Sequence, residues 1–186
     1  MNFANKISTF RILSVPFFVA ALIYSADRPP FRFLALFIFV LGVISDAVDG
    51  YIARRAGEYS KAGLVLDPLG DKLLLMSAFI CLSFLKGLTL HIPFWVTFIV
   101  ISRDIIIMLG AMVIYIVRQK IDVSPTRWGK LTTTFQMSSI IVVLLQSKLA
   151  YPLMYLAVFF TVISGIDYIM RGFKILYAVD NFRNNH

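Results

Sequence analysis

The chain has 186 residues, 59% hydrophobic, 15% aromatic and only 15% charged, with a mean hydropathy of +0.82. An average soluble domain is roughly 45–50% apolar and about 25% charged, so this composition excludes a separate water-soluble domain and reads as an all-α membrane protein, a polytopic bundle of about six transmembrane helices. The net charge of +8 is carried by no basic arm or block able to hold a duplex, which excludes nucleic acid as a partner.

Apolar runs lie near residues 8–25, 33–53, 64–86, 92–117, 131–149 and 151–170. Open sheet edges are not viable in lipid, so runs of this length are predicted helices. The first is not a removable signal peptide, because Arg11 interrupts it and Tyr24 stands where cleavage needs a small residue. Asp27-Arg28-Pro29-Pro30 separates it from the second, and residues 54–62 separate the second from the third. Cys81 in the third run has no disulfide partner and is expected to be a small core residue. Phe94, Trp95 and Tyr115 of the fourth are expected to face lipid or its interface. Residues 118–130 and Ser147-Lys148 make the last two connections, and Asp167 is expected to pair with Arg171 near the end of the sixth run. No repeat divides the chain, so one domain over residues 1–186 is expected.

Lys and Arg set the orientation. Lys6, Arg11, Arg54, Arg55, Lys61, Arg118, Lys120, Arg127, Lys130, Arg171, Lys174 and Arg183 fall on one face of such a bundle, and only Arg28, Arg32, Lys86 and Lys148 on the other. This asymmetry predicts a multi-pass protein of the inner or plasma membrane with both termini cytoplasmic.

The acidic residues carry the chemistry. Asp46, Asp49, Asp67, Asp71, Asp104 and Asp167 lie within the apolar runs or at their ends, where a charge costs at least about 2.5–3.5 kcal/mol. On a helix Asp46 and Asp49 project about 60° apart, and Asp67 and Asp71 about 40° apart, so each pair shares a face. Gly50, Ala53, Gly63 and Gly70 keep those faces small, although Pro68 is placed to kink or restart the third helix. Converging carboxylates require protons or cations, and an all-oxygen donor set favours Mg²⁺ or Mn²⁺ completed by a phosphate. Two ions could then hold a diphosphate and leave one Asp as a base. Two other readings fit the same spacing: a salt-bridge network with Arg54, Arg55, Lys61 and Lys72, and a carboxylate-lined transporter.

The segment from Asp46 to Asp71 resembles the signature of the CDP-alcohol phosphatidyltransferases, D-x2-D-G-x2-A-R-x8-G-x3-D-x3-D. It matches at Asp46, Asp49, Gly50, Ala53, Arg54, Gly63, Asp67 and Asp71. Asn5-Lys6-Ile7-Ser8 with Arg11 and Pro16 is similar to the family's opening, with Ser8 in place of Thr, and Ile101-Ser102-Arg103-Asp104 and Gly129-Lys130-Leu131-Thr132-Thr133 are similar to members with glycerol-based acceptors.

The resemblance implies that an acceptor hydroxyl attacks the phosphatidyl phosphorus of CDP-diacylglycerol and releases CMP. It implies Asp46, Asp49, Asp67 and Asp71 as ligands of two Mg²⁺ or Mn²⁺ ions, with Asp71 also the base. Gly50, Arg54 and Gly63 would hold the nucleotide, with Asn5 and Ser8 assisting. Arg103, Lys130 and Arg127 are the candidate acceptor ligands, against an internal ion pair for Arg103 and plain cytoplasmic placement for the other two. The leading acceptor is glycerol 3-phosphate, giving phosphatidylglycerophosphate. The alternative is phosphatidylglycerol, giving cardiolipin, because Asp104 stands where phosphatidylglycerophosphate synthases carry Glu. Membrane lipids are expected around the protein, and a homodimer is compatible with this reading.

Overall fold

The computed structural model describes the backbone of residues 3–56, 63–85, 87–118 and 126–184; the side chains at 3–10, 46–56, 63–69, 71, 111, 113–118 and 173–184 lie outside the described residues. Six helices and no strand occur among them: α1 (Phe3–Tyr24), α2 (Pro30–Ala56), α3 (Gly63–Phe84), α4 (Phe94–Arg118), α5 (Arg127–Leu144) and α6 (Ala150–Asn184). Each apolar run falls on one helix. The ends differ where polarity and helicity part company. α2 continues through Arg54 and Arg55 to Ala56. α6 is 35 residues long and outlasts its apolar run, since the stretch from Arg171 to Asn184 contains no proline and a single glycine. α5 starts at Arg127 because Thr126 caps it: the Gly129 N–H donates to Thr126 Oγ1 at 3.0 Å.

Among the described residues, Ala150–Gly172 is long and apolar enough to cross a membrane, while Arg11–Tyr24, Pro30–Ser45 and Lys72–Phe84 are shorter apolar stretches. The last three adjoin the segments whose side chains lie outside the described residues.

The chain divides into two packed units. The first comprises Met1–Phe94 with Met137–Ala150. Its core is built on α1, whose buried residues Arg11, Ser14, Phe18, Ala21 and Leu22 lie along one face. They meet Ala35 and Phe39 of α2 and Leu74, Leu75, Ala78, Phe79 and Leu82 of α3. Phe18 and Phe39 have ring centroids 5.8 Å apart. A Cβ at Gly42 would lie 2.5 Å from Leu74 Cδ2, so any larger residue there would displace the end of the Leu74 side chain where α2 meets α3. Cys81 is partly exposed, not a core residue as expected, because Ala78, Phe79 and Leu82 take the inward face of α3. The end of α5 is tied into the same unit by Gln146. This residue takes a left-handed φ of 55°, with Gln146 N–H donating to Val143 O and Ser147 N–H to Val142 O in a Schellman turn. Its side-chain amide accepts from Leu90 N–H at 2.8 Å and donates to Leu90 O at 3.0 Å.

The second unit comprises Trp95–Gln136 with Tyr151–His186. Phe160 of α6 stacks on Phe135 of α5 at 4.9 Å between centroids. Polar contacts run beside it: Thr132 Oγ1 donates to Phe160 O at 2.9 Å, and Gln136 Nε2 donates to Thr161 Oγ1 at 3.0 Å. Thr132, Gln136 and Thr161 are fully buried.

Candidate active site

The topology of the first unit brings the signature segments to one end. Tyr24 meets Phe31 at 5.7 Å between ring centroids, so α1 and α2 run antiparallel from that turn. Arg11, Gly42 and Leu74 line one small cavity further along. Beyond that level lie the start of α1 with Asn5 and Ser8, the end of α2 with Asp46, Asp49, Gly50 and Arg54, and the start of α3 with Gly63, Asp67 and Asp71. The side chains of these nine positions lie outside the described residues, so the placement rests on the backbone. α2 is unbroken through Asp46 and Asp49, and α3 opens at Gly63 and continues through Pro68, with no restart there. Both Asp pairs thus lie on continuous helical backbone, which is the geometry the offsets of about 60° and about 40° assume. As a donor set, four carboxylates on two continuous helices suit hard divalent cations. An apolar groove of about 510 Å³ leads away from this end between α1 and α2, lined by Leu13, Phe17, Ala20, Leu34, Ile38 and Leu41.

The second unit holds the other candidates. Arg103 is buried on α4, its Nη1 donating to Asp104 Oδ1 at 2.7 Å and its Nη2 to Ser164 Oγ at 2.5 Å. Arg103 Nε is buried with no hydrogen-bond partner among the described residues. The internal pair expected as one alternative for Arg103 is thus present. Arg127 and Lys130 sit exposed on the first turn of α5, where the free N–H groups of a helix start favour anions. Gly129 lies between them, and a Cβ there would be 3.6 Å from Arg103 Nη2. Asp167 accepts from Arg171 Nε at 3.1 Å, the pair expected at the end of the apolar part of α6.

The family model for CDP-alcohol phosphatidyltransferases matches residues 1–163. This chain belongs to the CDP-alcohol phosphatidyltransferase family. Like the family, it is a transferase of phospholipid synthesis. It is 34% identical over 181 residues, 93% of this chain and 82% of the other, to a protein of Mycobacterium tuberculosis named probable phosphatidylglycerophosphate synthase. It is 29% identical to a Haemophilus influenzae protein named CDP-diacylglycerol--glycerol-3-phosphate 3-phosphatidyltransferase, covering 90% of this chain and 91% of that one. A Bacillus subtilis protein of the same name is 28% identical, covering 94% of this chain and 97% of its own.

Residue types alone do not single out two side chains that the fold brings against the candidate acceptor ligands. Ser164 is an unremarked hydroxyl within an apolar run, and its partner Arg103 lies 61 positions away. Thr126 precedes its helix by one residue and lies in a polar connection. The only signals for them are the Ser164-Gly165 step inside the sixth run and the Thr126-Arg127-Trp128-Gly129 sequence, a capping residue with a glycine three positions on.

Proposed function

We propose that this phosphatidyltransferase transfers the phosphatidyl group of CDP-diacylglycerol to glycerol 3-phosphate, giving phosphatidylglycerophosphate and CMP. The observation that carries this reading is the full eight-position signature in a chain whose relatives, aligned over nearly their whole length, are named for that reaction. The family match draws on residues of both packed units, which supports the whole chain acting as one catalytic domain.

Asp46, Asp49, Asp67 and Asp71 would hold two Mg²⁺ or Mn²⁺ ions. Such ions, when bound, offset diphosphate charge and polarise its phosphorus–oxygen bonds. Gly50 leaves the α2 surface open to the nucleotide, Arg54 pairs with its diphosphate, Gly63 shapes the cytidine side, and Asn5 and Ser8 supply hydrogen bonds. Asp71 takes the proton of the acceptor hydroxyl. That oxygen bonds to the phosphatidyl phosphorus as the bond from this phosphorus to CMP breaks, and CMP leaves with the electron pair. Arg127, Lys130 and Arg103 bind the acceptor phosphate. The six helices form a multi-pass bundle in the inner or plasma membrane, with both termini and the site on the cytoplasmic face. The charge asymmetry between the connections supports that orientation.

One observation favours a second reading. The Arg103-Asp104 step is similar to cardiolipin synthases of this family, which would make phosphatidylglycerol the acceptor. Purified protein supplied with CDP-diacylglycerol, Mn²⁺ and a panel of acceptors decides between them by product mass. Phosphatidylglycerophosphate and CMP are expected with glycerol 3-phosphate. Cardiolipin from phosphatidylglycerol, with glycerol 3-phosphate ignored, would overturn the acceptor and leave the reaction class standing. Uptake without CMP release would favour a transporter.

A further inference from the structure

The geometry points to Ser164 as a positioning residue that orients Arg103 for the acceptor phosphate, an inference that rests on the glycerol 3-phosphate reading. A guanidinium is a planar fork of five N–H donors, useful to a phosphate only when its plane is fixed. Asp104 holds Nη1 and Ser164 holds Nη2, so the two ends of the fork are tethered from different helices. With both tethers in place the plane cannot turn, and the buried Nε–H keeps one direction. With the Asp104 tether alone, the group can swing about that contact.

The surroundings are shaped for this. Ser164 is fully buried, and the bond recorded for it is to a side chain of α4. Thr161, Thr133 and Thr134 instead donate to the carbonyl four residues earlier in their own helix, the usual use of a helical hydroxyl. A Cβ at Gly129 would lie 3.6 Å from Arg103 Nη2, 3.7 Å from Ser164 Oγ and 3.3 Å from Thr126 Oγ1. The first turn of α5, bearing Arg127 and Lys130, is therefore seated directly on the Arg103–Ser164 contact. A Cβ at Gly165 would be 3.5 Å from Arg103 Cγ, so the stem is closely bounded as well. Ser164 thereby sets the spacing between the buried cation and the two exposed ones.

Ser164→Ala tests this, since it removes the oxygen and adds no volume. The KM for glycerol 3-phosphate should rise about fivefold, with kcat and the KM for CDP-diacylglycerol within about twofold of wild type, as expected for the loss of one hydrogen bond acting on acceptor binding alone. Ser77→Ala removes a helical hydroxyl bonded to Leu74 O in the other unit and should change none of these constants. In an Arg103→Gln background Ser164→Ala should have no further effect, because the two residues act as one. Arg103→Lys, which keeps the charge and loses the fork, replaces Arg103→Gln if the latter does not fold in detergent. The inference is overturned if Ser164→Ala leaves the acceptor KM unchanged while the Arg103 variant raises it. Full additivity of the two changes, or a parallel loss of thermal stability and of every kinetic constant, would also overturn it. An Arg103 variant with a normal acceptor KM would instead remove Arg103 from acceptor binding, and glycerol 3-phosphate left unused by wild type would remove the acceptor reading itself.

Discussion

Arg103 and Asp104, consecutive on α4, are ion-paired at 2.7 Å with side chains only 9% and 1% exposed. Neighbouring positions on a helix point about 100° apart, so the contact depends on the reach of the arginine stem. Breaking a buried pair by removing one partner leaves an uncompensated charge and costs about 3–5 kcal/mol, whereas apolar replacement of both is far milder. Asp104→Asn should therefore lower thermal stability in detergent more than the double variant Arg103→Met with Asp104→Leu. The double variant should nevertheless lose acceptor affinity. Equal melting temperatures would mean that the pair does not hold the helix in place.

Activity should vanish in EDTA and return with Mg²⁺ or Mn²⁺ but not with Ca²⁺. The four signature carboxylates suit small hard cations, and the Ca²⁺–oxygen distance of 2.3–2.6 Å is longer than the 2.0–2.1 Å of Mg²⁺ by roughly 0.3–0.5 Å, enough to misplace a bound phosphate. CMP release measured after chelation and add-back checks this; full turnover in chelator would exclude the metal reading.

Asp71→Asn should abolish turnover while CDP-diacylglycerol binding largely persists, because the amide cannot take the acceptor proton. Asp49→Asn should weaken nucleotide binding as well. Single-turnover kinetics beside equilibrium binding of a CDP-lipid separates the two effects. Near-wild-type turnover by Asp71→Asn would exclude it as the base.

Gly50 lies one residue past Asp49 on the unbroken α2. A methyl group there should hinder close approach of the nucleotide, so Gly50→Ala should raise the KM for CDP-diacylglycerol and leave the melting temperature unchanged. Wild-type kinetics would confine this glycine to helix packing.

Gln146 offers a test of stability alone. Its left-handed backbone costs a non-glycine residue roughly 1–2 kcal/mol, and its amide returns bonds to both polar groups of Leu90. Gln146→Ala loses the bonds and keeps the strain, whereas Gln146→Gly loses the bonds and relieves it. Both should be less stable than wild type, with alanine the worse by about 1 kcal/mol. Thermal denaturation in detergent gives the order, and a glycine variant more stable than wild type would show the Leu90 bonds to be unimportant.

The helices were legible from the sequence because long apolar runs leave few alternatives, and the carboxylate pairs because charge within such runs demands an explanation. Helix ends were harder to read. Hydropathy stops with the apolar side chains, while α6 continues for as long as nothing interrupts its backbone, and α5 begins at a cap one residue outside its helix. Arg103 was visible as a buried cation with a carboxylate beside it. Ser164 was not, because its role arises only when α6 packs against α4, a relationship that neither local pattern encodes.

The length of α6 has a mechanical consequence. Twelve residues continue past Gly172 in the same helix, extending the rod by roughly 18 Å, more than twice the Debye length of about 8 Å at physiological salt. In a bundle oriented as proposed, backbone position 183 stands beyond the reach of anionic headgroups, and the tail acts as a pointer continuous with the segment that is long and apolar enough to cross a bilayer. Over a total length of about 52 Å, a tilt of about 10° would carry the tip roughly 9 Å sideways. A spectroscopic label near Asn184 would read out, amplified, any tilting of the buried part of the helix during turnover.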